Sequence, residues 1–167
     1  SANEGAPIID RVWLNLTNDE VFRQIAIGFV PELSDGKGDG DTPNIHSAND
    51  TDFYSLIPND NGKYAIQFLS DFNTDKSIPL GMASLTNATY QISLYHAEGI
   101  FTQGQAIYLE DTYQGIIHDF ANGAYSFTQN AGANINDRFI LRFTNSTAGN
   151  TEEALSNLVI YPNPSTG

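Results

Sequence analysis

From Ile8 onward, apolar side chains recur at every second position and hardly anywhere at the helical spacing. Val12, Leu14 and Leu16 alternate with Trp13, Asn15 and Thr17, and Ile25, Ile27 and Phe29 form the next set. Tyr64, Ile66 and Phe68 follow, then Tyr90, Ile92 and Leu94, and then Ile107 with Leu109. Tyr125 with Phe127 and, near the end, Phe139, Leu141 and Phe143 complete the series. Each run reads as a strand with one face turned to a core. Between them stand turn formers: Asp60-Asn61-Gly62, Glu98-Gly99, Asn122-Gly123 and Ala131-Gly132. The runs lie about eight to fifteen residues apart, which suits antiparallel strands joined by hairpins. The pattern predicts an all-β domain of about eight to ten strands, built as an antiparallel two-sheet sandwich of jelly-roll type. Only Asn18–Gln24 and Thr151–Leu158 have the composition for a helical turn.

The same alternation sets the boundaries. Residues 1–7 are small and polar and read as a tail, residues 8–143 as the β domain, and residues 144–157 as a polar linker. Pro31–Asp52 breaks the rhythm with a run of Asp, Gly and Asn, and a loop of that length is usually functional or mobile.

The chain of 167 residues is long enough to bury about 70% of its unfolded surface, so a core is expected without staples. Cysteine is absent, which removes thiol catalysis, disulfides and thiolate metal sites. Twenty acidic residues against seven basic ones give a net charge of −13, which argues against nucleic acid and anionic membrane as partners. No apolar run approaches the roughly 18 residues that span a bilayer. Such acidity keeps a domain soluble and monomeric.

The sharpest candidate chemistry is the acidic loop. Asp35, Asp39 and Asp41 on glycine-rich backbone, with Asp50 and Asp52 at the far end, offer hard oxygen ligands of the kind Ca²⁺ takes. The EF-hand spacing fails, because the third position from Asp35 is Lys37 and the twelfth is His46. A solvated acidic loop is the plainer reading. His46, His96 and His118 are scattered and offer no close pair for zinc. No Gly-x-Ser-x-Gly elbow is present, and Gly104–Leu109 reads as a turn into a strand rather than a phosphate cradle. No catalytic residue is assigned, and the domain is read as a non-enzyme. Asn136 is expected to open the last strand with an Asx turn, and Arg138, alternating with buried Phe139, to pair with Asp111 or Asp137. Most aromatics fall on the inward parity, but Trp13, Tyr54, Tyr95, Tyr108 and Tyr113 do not. Exposed Tyr and Trp rings stack on sugar rings, so these five are the candidate glycan-binding residues.

The chain closes on Leu158-Val159-Ile160-Tyr161-Pro162-Asn163-Pro164-Ser165-Thr166-Gly167. This segment resembles the opening strand of the C-terminal sorting domain of Bacteroidetes type IX secretion cargo, with Tyr161, Pro162, Asn163 and Pro164 as its motif. The body resembles an accessory module that often precedes that sorting domain. The residues carrying this likeness include Arg11–Thr17, Tyr54–Ile57, Tyr64–Gln67, Ile78–Gly81, Gly104–Asp111, His118, Tyr125–Thr128 and Asn136–Phe139. The resemblance implies a non-catalytic β-sandwich at the cell surface or secreted, with the type IX machinery as partner and the start of the sorting domain at residues 158–167. One departure is local: that family spaces its loop aspartates with aromatics, whereas glycines and Lys37 separate Asp35 from Asp41 here.

Overall fold

In the computed structural model, residues 9–31, 36, 38, 40–44 and 50–145 are described. They form β1 (Asp10–Thr17), β2 (Phe22–Phe29), β3 (Thr42–Pro43), β4 (Asp52–Ser55), β5 (Tyr64–Leu69) and β6 (Ser77–Ser84). These are followed by β7 (Ala88–Glu98), β8 (Tyr108–Asp111), β9 (Ile116–Asp119), β10 (Tyr125–Gln129) and β11 (Gly132–Arg142). Two short 3₁₀ turns, Gly99–Thr102 and Phe120–Asn122, are the only helical pieces among the described residues. The protein is all-β, as the alternation predicts.

The arrangement differs from two separate sheets. Hydrogen bonding runs without a break in the order β10-β7-β1-β2-β5-β4-β6-β11-β8-β9, with β3 attached to β5. The result is one sheet of eleven strands, nearly closed and barrel-like. Nor is it wholly antiparallel, because β2 and β5 pair in parallel, Ala26 to Phe29 against Ile66 to Leu69. A parallel neighbour needs a crossover connection. The long segment after Pro31, with β3 and β4, supplies it. A period-two pattern carries no strand direction, so this pair was invisible in it.

Val12, Leu14, Leu16, Ile25, Ile27, Phe29, Tyr90 and Ile92 enter the same hydrophobic cluster as Leu80, Met82, Leu109, Phe139 and Leu141. One core therefore draws on every strand except β3 and β9. At one end Phe29, Phe72, Phe101 and Phe143 pack edge to face or tilted, with ring centroids 5.0–6.1 Å apart.

β5 departs from its predicted facing. Leu69 joins the core cluster, which by parity turns Gln67 inward and Tyr64, Ile66 and Phe68 to the other face. Phe68 is accommodated there because Gly28 and Gly40 leave room: a Cβ on either glycine would lie 2.7 Å from its ring. The Asn18–Gln24 stretch is not helical. Asn18 Oδ1 accepts from the backbone N–H groups of Glu20 and Val21 at 2.8 and 2.9 Å, making a tight turn that delivers the chain into β2.

Pro79 lies in the interior strand β6, which proline ordinarily avoids. Its carbonyl accepts from Leu56 N at 2.9 Å, so the side of the backbone lacking an N–H faces the point where β4 has already ended. The next residue but one is equally constrained. A side chain at Gly81 would run into the Tyr54 ring and Asn136 Oδ1, and Tyr54 is fully buried with no room to retreat. Gly81→Ala should therefore destabilise the fold by about 1–3 kcal/mol. Urea unfolding is the check, and an unchanged midpoint would contradict this packing.

Candidate functional site

The ends of the sheet path, β9 and β10, are consecutive in the chain and are not joined by a ladder. Side chains bridge that seam. Arg138 on β11 is 4% exposed and Asp111 on β8 is 0% exposed. Their contact is bidentate, with Arg138 Nε donating to Asp111 Oδ1 at 2.9 Å and Nη2 to Oδ2 at 2.8 Å. From β10, the Tyr125 hydroxyl donates to Asp111 Oδ2 at 2.7 Å. Arg138 Nη1 donates in turn to the Thr128 carbonyl at 2.8 Å and to Gln129 Oε1 at 2.9 Å. Gln114 Nε2 and the Tyr113 backbone N–H complete the carboxylate's shell, both at 3.1 Å. Around the guanidinium, the rings of Tyr113, Phe127 and Phe139 lie 4.9–5.0 Å from its central carbon.

The electrostatics follow from this shell. Burial alone would push the Asp111 carboxyl up, but hydrogen bonds from Arg138, Tyr125 and Gln114 outweigh it and hold the group below its ordinary value. Tyr125 moves the other way, pushed up to about 12 by burial and by its bond to the Asp111 carboxylate. An ionised, fully bonded Asp111 has no lone pair directed at solvent chemistry. Its role is to tie β8, β10 and β11 together.

Pairing of Arg138 with Asp111 was one of the two options open in the sequence, but its burial was not. A register irregularity between Ile135 and Phe139, against β6, breaks the alternation, so Arg138 and Phe139 are both buried. Asn136 likewise lies inside β11 rather than opening it, and its Oδ1 accepts from the Tyr54 hydroxyl at 2.6 Å.

The five candidate aromatics do not form one surface. Tyr54 is buried, with the Lys63 ammonium 4.9 Å from its ring centroid. It has no face for a sugar. Burial, followed by the nearby Asp52 charge, pushes its hydroxyl up to about 12. The parity argument placed Tyr54 on the outer face, but β4 is covered on both of its faces. Tyr113 is exposed, and its hydroxyl donates to Asp137 Oδ1 at 2.8 Å. Tyr108 is half-buried at the start of β8. Trp13 and Tyr95 each neighbour the His96 ring. A bulge between Trp13 and Leu14 sets Trp13 opposite His96 and leaves Tyr95 projecting, 64% exposed. Arg11 stacks 4.7 Å above Trp13 while Nη2 donates to Glu98 Oε1 at 2.8 Å, and the His96 ring lies 5.1 Å from Trp13.

The acidic residues also separate. Asp41 uses both oxygens on backbone: Oδ2 accepts from Gly38 N at 2.9 Å and Oδ1 from Phe68 N at 2.8 Å, which pins the loop to β5. Asp52 is buried and accepts from Asn44 Nδ2 and from Phe53 N. Asp50 is exposed. Asp35, Asp39 and His46 lie outside the described residues, as do Tyr161, Pro162, Asn163 and Pro164. Among the described residues, no three His, Asp or Glu side chains converge as metal ligands. No helix among them is long and apolar enough to cross a membrane.

A nearly closed all-β domain whose best-buried charges are engaged in holding strands is the class that fold and geometry define. The chain belongs to the family described as a domain of unknown function, DUF8693, which matches residues 2–143. No curated protein and no solved structure matches it.

Proposed function

We propose that this domain is a non-catalytic accessory module of a secreted or surface-displayed type IX secretion cargo protein, spacing or presenting the rest of that protein. The observation that supports it is the Asp111–Arg138 clasp, because the most enclosed acid and base of the domain hold the sheet shut. The family match ends at residue 143, where the sequence reading closes the β domain. We read the sheet as folding over on itself in a jelly-roll-like way, since side chains from β1, β2 and β7 share one core with those of β6, β8 and β11.

The test is an export assay of the parent protein in cells with and without the type IX translocon. Deleting residues 9–145 should leave export intact, whereas deleting residues 158 onward should abolish it. Export that survives loss of the terminal segment would refute the proposal.

A second reading, a carbohydrate-binding or adhesin module, is favoured by Trp13 and Tyr95 flanking His96. Glycan-array binding that disappears in Tyr95→Ala would favour it.

A further inference from the structure

The outer face of β10, β7, β1 and β2 carries two rows of side chains in register. Ser126, Gln91, Thr17 and Phe22 lie side by side across the four strands, and one step further come Ser93, Asn15 and Gln24. All stand on the parity opposite to the buried Leu16, Ile25, Ile92 and Phe127. None bears a charge, in a chain of net charge −13. Exposed rings mark the two ends of this face. Phe22, 58% exposed, stands level with Thr17, and Tyr95, 64% exposed, projects from the bulge beside Trp13. Those levels are four residues apart on β1, or about 14 Å along the strand. Between the rings, Gln24 Nε2 donates to Asn15 Oδ1 at 2.8 Å, which fixes both amides and leaves Oε1 of the exposed Gln24 as an acceptor. Beside Phe22 the Asn18–Glu20 turn walls a hollow of about 640 Å³, to which the sheet contributes Thr17, Thr89, Gln91 and Ser126. Asp19 and Glu20, both exposed, add carboxylates to its lining.

The order of these groups selects the class of ligand. A protein partner buries an apolar centre and leaves polar groups at the rim. Here the order is reversed, with rings at the ends and amides and hydroxyls in the middle. A polysaccharide matches it, because each sugar offers a C–H face to a flat ring and hydroxyls that both donate and accept. The distance between Phe22 and Tyr95 calls for a chain of sugars rather than one ring. Asp19, Glu20 and the net charge oppose uronate or sulfate groups, so the chain that fits is uncharged.

We propose that this face binds a neutral polysaccharide chain laid across β1 from Phe22 to Tyr95, with Gln91, Gln24 and Asn15 hydrogen-bonding its hydroxyls. This rests on the carbohydrate-binding reading and deepens it, extending the contact from the His96 end to the hollow under the Asn18–Glu20 turn.

The experiment is native affinity electrophoresis of the full chain in gels containing xylan, mixed-linkage β-glucan, glucomannan or soluble starch, with polygalacturonate as the anionic comparison. At least one neutral polymer should retard the protein, and polygalacturonate should not. Phe22→Ala and Gln91→Ala replace exposed side chains, so both should melt as the parent does while each weakens binding at least about fivefold. A neutral polymer held equally by the parent and by these two variants would overturn the proposal. If Tyr95→Ala then abolished that binding, the contact would lie at the His96 end alone, and the carbohydrate-binding reading would stand without the track. Retardation by none of the four neutral polymers would overturn both, and retardation by polygalacturonate alone would overturn the neutral chain.

Discussion

Replacing Asp111 by alanine should lower folding stability by about 3–5 kcal/mol, because it leaves the Arg138 guanidinium buried with no countercharge. A small domain is stable by only about 5–15 kcal/mol, so this variant sits near the edge of folding at ambient temperature. The loss spreads across the seam. Tyr125 loses its acceptor and Gln114 one of its two, while β10 keeps its ladder to β7, the packing of Phe127 on Phe139, and the Arg138 contacts to Thr128 and Gln129. Arg142→Ala offers the contrast: its 2.6 Å bond to Glu110 lies nearer the surface, at 15–16% side-chain exposure, and should be worth less.

Acid should act on the same group, and the sign follows from linkage. Asp111 titrates below its ordinary value in the fold, so the unfolded chain takes up a proton first as pH falls. The stabilisation is fully present above the unfolded value of about 3.9 and is lost as pH drops through the folded one. Acid unfolding followed by circular dichroism, comparing the parent with Asp111→Asn, should show a flatter acid limb in the variant. Identical limbs would mean that Asp111 is not the group responsible.

Phe29→Ala should cost about 3–5 kcal/mol, the range for removing a buried phenylalanine. Phe29 is 1% exposed and touches three other rings, Phe72 at 5.3 Å, Phe143 at 5.5 Å and Phe101 at 6.1 Å. Those rings come from the β5–β6 connection, the end of β11 and the first 3₁₀ turn, so none can collapse into the void without moving its own backbone. Phe29→Leu keeps most of the volume and should cost less than about half as much. Urea denaturation separates the two, and equal losses would show that the cluster tolerates any apolar side chain.

Much of this fold was legible because burial on one face writes itself as period two. β1, β2, β7, β8, β10 and the end of β11 all stand where Val12, Ile25, Tyr90, Ile107, Tyr125 and Phe139 announce them. β4 was not listed as an alternating run because all four of its residues are buried, polar Asp52 and Ser55 included. β6 was obscured by Pro79 and Gly81, whose presence makes sense only once the end of β4 and the Tyr54 ring are in view. On β5 the alternation was real but its facing was reversed, since the loop around Gly40 covers Phe68. Sites were less legible than strands. That Arg138 needs a carboxylate can be argued from the scarcity of cations, but its depth depends on a bulge that no composition reports.

The account turns on the claim that the bonds running from the Asp111–Arg138 pair to Tyr125, Thr128 and Gln129, rather than a backbone ladder, hold β10 at the seam. A double-mutant cycle on Asp111→Ala and Arg138→Ala measures the strength of the pair from which those bonds issue. The predicted result is strong coupling, with the double variant no less stable than either single one and an interaction energy of at least about 2 kcal/mol. Single losses that simply add, within about 0.5 kcal/mol, would contradict it.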